Sequence, residues 1–115
     1  MHKSNIAGMI HCTGGAQTKV MKFVGNIEIV KDDLLPVPPL FKTIQQTTGT
    51  SSKEMFEVFN MGHRMEIYTD NKTAESIMKI ANSFGIESKI IGHCNSSDFK
   101  ILKISNDNET LIWNF

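Results

Sequence analysis

Gly8-Met9-Ile10-His11-Cys12-Thr13-Gly14-Gly15-Ala16-Gln17-Thr18-Lys19 runs from an apolar strand straight into a glycine-rich polar loop, and the rest of the chain is arranged around it. The strand begins near Ile6, and its nearly continuous apolar character to Cys12 predicts a central strand buried on both faces. Gly14-Gly15 then let the backbone turn and approach a ligand without interference from a Cβ. Backbone amides left free there suit a phosphate, although a pair of glycines also fits an ordinary tight turn.

Beyond the loop, Thr18 to Val24 reads as a short helical piece, and Ile27-Glu28-Ile29-Val30 alternates as a half-buried strand does. Pro36-Val37-Pro38-Pro39 is rigid and extended, and Pro39 is suited to be the first residue of a helix. That helix carries Leu40, Phe41 and Ile44 on one side and stops at Gly49. Ser51-Ser52-Lys53-Glu54 forms a capping box ahead of Met55, Phe56 and Phe59. The second helix breaks at Asn60-Met61-Gly62. From His63 to Thr69 a two-residue period predicts a half-exposed strand, with Met65 and Ile67 inward and Arg64, Glu66 and Tyr68 outward.

Asp70-Asn71 caps the clearest helix, in which Ala74, Ile77, Met78, Ala81 and Phe84 recur at helical spacing until Gly85. Two strands follow, Lys89 to Cys94 and Phe99 to Ser105, then a turn at Asn106-Asp107-Asn108 and a last strand from Thr110 to Phe115. Strands alternating with helices early, and strands alone late, predict an α+β domain. Its mixed sheet has about five to six strands, with helices layered on it.

Composition narrows the function. The chain of 115 residues is 40% hydrophobic, enough for one domain with a real core. Its 12 basic and 12 acidic side chains cancel, so no broad positive field exists to hold nucleic acid or an anionic membrane surface. A run of about 18 apolar residues, which a membrane span needs, does not occur, nor does a signal peptide. A cytoplasmic protein is the expectation, with reduced core cysteines at Cys12 and Cys94.

Several constellations invite chemistry. His11-Cys12 and His93-Cys94 suggest a metal site, but strand neighbours point to opposite faces, so even with His63 only three ligands converge and no metal is expected. A Cys12–His93 pairing across strands stays open. Lys19 offers a point charge to a phosphate, and Thr13, Thr18 and His11 offer hydrogen bonds, but the loop fits neither a Walker A motif nor G-x-G-x-x-G. Asn60-Met61-Gly62 frees the backbone between a helix and a strand, with Asn60 available either to a ligand or as a helix cap. Arg64 faces either Glu66, two residues on along the same side, or a phosphate.

Taken in order, His11-Cys12-Thr13-Gly14-Gly15, Pro36-Val37-Pro38-Pro39-Leu40-Phe41, Glu54-Met55-Phe56, Val58-Phe59-Asn60-Met61-Gly62 and Ile91-Gly92 resemble the C-terminal domain of aminoimidazole ribonucleotide (AIR) synthetases. These are the phosphoribosylformylglycinamidine cyclo-ligases of purine biosynthesis. The resemblance covers about Ile6 to Ile104. It implies that residues 1–115 are one AIR-synthetase-type C-terminal domain, truncated at its N-terminus, with the ATP-binding N-terminal domain absent.

The resemblance also implies an activity. The parent enzyme is an ATP-dependent ligase that activates the formyl oxygen of formylglycinamidine ribonucleotide and closes the imidazole ring, releasing ADP and phosphate. His11 is the implied catalytic residue, orienting or protonating the substrate. Thr13, Gly14, Gly15, Asn60, Met61 and Gly62 are the implied substrate-binding residues. ATP and magnesium are implied for the parent, held mainly by the absent domain, and no cofactor is expected in this chain alone. Its own N-terminal domain and, in the full enzyme, a second copy are the implied partners, and the chain alone is expected to be inactive. Ala16 stands where the family shows a third glycine, and His63 and Arg64 stand where it shows apolar residues or glycine. A free-standing sugar-phosphate or nucleotide-binding module is the alternative. So is a domain of a related ATP-dependent enzyme: formylglycinamidine synthase, or a selenophosphate or thiamine phosphate kinase.

Overall fold

A computed structural model of the chain describes residues 6–12, 16–106 and 108–115. Thr13, Gly14 and Gly15, three of the implied substrate-binding residues, lie outside the described residues, as does Asp107 of the expected turn.

The alternating segment Ile27–Lys31 forms β2, which has neighbours on both sides. It pairs antiparallel with β4 (Gly92–Ser96) and parallel with β5 (Ile101–Asn106), and β5 turns back antiparallel into β6 (Glu109–Asn114). The sheet order is therefore β4-β2-β5-β6, a mixed sheet ending in the expected hairpin. Its inner face carries Ile29, Leu102, Ile104 and Trp113, all buried. Against that face pack Val20 and Met21 of a 3₁₀ helix, Ala16–Lys22, and Met55 and Phe56 of α2, Ser52–Val58. Trp113 pins α2 to β6 by donating its indole N–H to Glu57 Oε1 at 2.7 Å.

The strand boundaries move slightly from their expected places because of local hydrogen bonds. The Ile91 carbonyl accepts the amides of Asp32 and Asp33, both at 3.0 Å, so sheet pairing of β4 starts only at Gly92. Gly92 is required by close approach, since a Cβ there would collide with the Val30 carbonyl oxygen of β2.

α1 spans Pro39–Thr48, starts on a proline and ends at Gly49 in the left-handed conformation (φ 70°). Phe41 and Ile44 pack on the core, with the Phe41 and Phe59 rings 5.8 Å apart, whereas Leu40 of the opening turn is exposed. α2 forms the serine half of the expected capping box, the Ser51 hydroxyl accepting the Glu54 amide at 3.2 Å. α3 spans Asn71–Ser83, with Asp70 accepting the Thr73 amide at 2.7 Å. Its stripe of Ala74, Ile77, Met78 and Ala81 is only half-buried, and Phe84 is exposed. No helix among the described residues is long and apolar enough to cross a membrane.

The first strand differs most from expectation. β1 (Ile6–His11) is not central to the large sheet. It pairs antiparallel with β3 (Met65–Thr69) in a separate two-stranded sheet, irregular between Ile6 and Gly8. With one hydrogen-bonded neighbour it is not buried on both faces: Ala7, Met9 and His11 are exposed. Among the described residues six strands thus divide between two sheets, within the predicted α+β class.

Candidate functional site

Backbone pairing brings the implied site segments together. His11 lies opposite Met65 at the end of β1, and the Cys12 amide donates to the Arg64 carbonyl at 2.8 Å. Ala16 and Gln17, which follow the glycine pair in sequence, are both buried, and Gln17 Nε2 donates to the Asn60 carbonyl at 2.9 Å. Both ends of the glycine loop are therefore tied to the stretch from Asn60 to Met65. Lys19 donates to the His11 carbonyl at 2.9 Å, bracing the same two ends. His11 is exposed beside them.

Asn60 is not the helix cap; that position is Phe59. Its side-chain oxygen accepts the Gly62 amide at 2.9 Å and its carbonyl accepts the His63 amide at 2.9 Å, closing a tight turn. The turn bends through left-handed backbone at Met61 (φ 54°) and Gly62 (φ 95°). A Cβ on Gly62 would stand 2.8 Å from Pro38 Cδ, so the proline segment abuts this turn directly. Gly62→Ala should therefore destabilise the fold by about 1–3 kcal/mol, from left-handed strain and overpacking. A denaturant melt within about 0.5 kcal/mol of the parent, the range of neutral surface changes, would contradict it.

His63 follows the turn and is buried, with its Nε2 accepting the Leu35 amide at 3.2 Å. The neutral ring therefore carries its proton on Nδ1. That atom is buried and makes no hydrogen bond of full geometry, although the Asn60 carbonyl acts on the ring as an acceptor. Burial pushes the His63 pKa below the ordinary histidine value, Lys31 adds to this, and Glu66 opposes it. The unfolded chain thus takes up this proton first. Stability from this group is fully present above about pH 6.5 and falls by up to about 1.4 kcal/mol per unit as the pH drops below it. His63→Gln, which keeps an acceptor for Leu35, should flatten the stability profile between pH 6.5 and 5. Parallel profiles for the two proteins would refute this.

β3 presents the face opposite to the one its pattern predicts. Glu66 is buried, Met65 is half exposed, and Arg64 is exposed without an ion pair among the described residues. The reason is Lys31, which is only 2% exposed. Its ammonium donates to Glu66 Oε2 at 2.5 Å and to the Gln17 carbonyl and Oε1, both at 2.8 Å. The Tyr68 hydroxyl completes Glu66 by donating to Oε1 at 3.1 Å. An inward Glu66 is thus fully partnered, and the expected Arg64–Glu66 pair does not form.

Burial, with Glu66 nearby, pushes the Cys12 thiol up to about 11. Burial and Glu66 likewise raise the Tyr68 phenol. Both shifts favour the protonated side chains, which disfavours the thiolate form of Cys12 that a nucleophile needs. Cys94 lies exposed on the edge strand β4, outside the expected core position, with His93 exposed next to it. Among the described residues no three His, Cys, Asp or Glu side chains gather as metal ligands would.

Lys31, Gln17 and Glu66 are the residues that sequence patterning missed. Only Lys31 carried a signal, parity: Ile27, Ile29 and Lys31 share one side of β2, so an inward Ile29 carries Lys31 inward with it, whereas Gln17 and Glu66 had none.

Residues 1–104 match the family model for the AIR synthase related protein, C-terminal domain. Among curated relatives, the phosphoribosylformylglycinamidine cyclo-ligase of Methanococcus vannielii is 33% identical over 90 residues, covering 78% of this chain and 26% of the relative. The namesake enzyme of Methanocaldococcus jannaschii is 33% identical over 87 residues, 76% of this chain and 25% of the relative. That of Fusobacterium nucleatum is 31% identical over 104 residues, 88% and 31%. The chain thus spans about a quarter to a third of the length of these relatives. Since the match takes in residues 1–104 of 115, the chain belongs to the AIR synthase related proteins, as their C-terminal domain.

Proposed function

We propose that this chain is the substrate-side domain of a phosphoribosylformylglycinamidine cyclo-ligase of purine biosynthesis. The observation that carries the reading is the joining of two separate segments into one wall: Cys12 is bonded to Arg64 and Gln17 to Asn60. In this reading His11, the glycine loop and the Asn60–Gly62 turn border one site. In this reading the reaction starts when ATP, held mainly with magnesium by an N-terminal ATP-binding domain, phosphorylates the formyl oxygen of formylglycinamidine ribonucleotide. The amidine nitrogen then attacks that carbon, loses a proton and expels phosphate as the imidazole ring closes. His11, exposed at the rim, orients or protonates the substrate. The loop with Thr13, Gly14 and Gly15 supplies amides to its anionic oxygens. The backbone of Asn60, Met61 and Gly62 forms the facing edge, while the Met61 side chain itself is buried in the core and does not reach substrate. The working enzyme is a cytoplasmic homodimer.

Calorimetric titration with formylglycinamidine ribonucleotide tests the reading. Saturable binding is expected, without phosphate release from ATP by this chain alone. His11→Ala should weaken that binding about tenfold, the worth of one hydrogen bond to a charged group. Absence of binding to the unsubstituted chain would overturn the reading. Turnover by the chain alone would overturn the assignment of ATP to another domain.

A further inference from the structure

The buried polar residues Lys31, Gln17 and Glu66 have a directional arrangement that a core does not require. Lys31 spends all three ammonium hydrogens, one on Glu66 and two on Gln17. Holding Gln17 Oε1 fixes which way that amide faces, because the reverse orientation would set its NH₂ against the ammonium. The NH₂ group is therefore aimed at the Asn60 carbonyl, 2.9 Å away. That carbonyl also accepts the His63 amide, so the chain of bonds runs from Glu66 through Lys31 and Gln17 into the turn itself. Glu66 is held in place from its other oxygen by Tyr68. Gln17, Lys31 and Glu66 are at most 5% exposed, so water does not compete for these bonds.

We propose that Gln17 and Lys31, set by Glu66, are positioning residues that fix the Asn60–His63 turn against the segment leaving the glycine loop. They thereby set the spacing between the two parts of the site, which rests on the reading of that site as a ribonucleotide cleft. None of the three touches substrate in this account. Each acts through the backbone of the turn.

Two variants of the full chain separate this role from general support of the fold. Gln17→Glu preserves size and the acceptor for Lys31 but sets an oxygen against the Asn60 carbonyl. The double variant Lys31→Met/Glu66→Leu removes both buried charges and leaves Gln17 without the ammonium that orients its amide. Amide hydrogen exchange is followed at Gly62 and His63 and, for comparison, across the β5–β6 hairpin. Affinity for formylglycinamidine ribonucleotide is followed by calorimetry. Exchange at Gly62 and His63 should quicken about tenfold or more in both variants with the hairpin unchanged, and affinity should fall about tenfold. Unchanged exchange at the turn, or an equal rise everywhere, overturns the proposal. Faster local exchange with undiminished affinity overturns it too. An unsubstituted chain that takes up no ribonucleotide overturns the cleft reading instead, and the exchange pattern alone then decides whether Gln17 and Lys31 set the turn.

Discussion

Lys31→Met should cost the fold about 3–5 kcal/mol, because it leaves the Glu66 carboxylate buried without its counter-charge. The loss is specific to breaking the pair. Lys31 and Glu66 meet at 2.5 Å with side chains 2% and 3% exposed, so neither can regain water without local unfolding. Adding Glu66→Leu to the same chain should recover most of the stability, since desolvating two charges offsets much of what their attraction returns. Denaturant melts of the single and double variants check this. A single variant losing under about 1 kcal/mol would mean that the pair behaves like a surface ion pair. A double variant no better than the single would mean that Gln17 depends on Lys31 more than Glu66 does.

Phe56→Ala should rank with it, at about 3–5 kcal/mol. Phe56 is fully buried between α2 and the four-stranded sheet, in the cluster with Ile29, Leu102 and Trp113. Because α2 leads directly into Asn60, the cavity would loosen the helix that delivers the turn, as well as the core. Thermal melts and near-ultraviolet circular dichroism of Trp113 give the two readouts. A loss below about 1.5 kcal/mol would show that the core collapses around the site.

Much of this architecture was legible from local chemistry. Pro39 and Gly49 bound α1 as proline and glycine do, Ser51 and Asp70 cap the next two helices, and β2 alternates as its residues predict. These signals live within a few residues of the chain. Partnership was not legible. The apolar run of β1 predicts full burial, yet burial depends on neighbours, and β1 has one. Likewise the parity of β3 predicts Met65 inward, and only the distant Lys31, which supplies a counter-charge, turns Glu66 to the inside instead. The site followed the same division. The glycine, proline and Asn-Met-Gly segments stand out as unusual stretches, while Gln17, Lys31 and Glu66 look like ordinary polar residues until the fold sets them side by side.

The contact between Gly62 and Pro38 carries a consequence for descent. A Cβ at position 62 would press to 2.8 Å from the Pro38 ring, on left-handed backbone besides, so any side chain there is costly while a proline occupies position 38. A lineage that exchanged the glycine first would pass through a weakened ancestor. One that exchanged the proline first would remove the collision, with the backbone twist still to relieve. Change at these two positions is therefore ordered: the proline must go before position 62 can take a side chain without the collision.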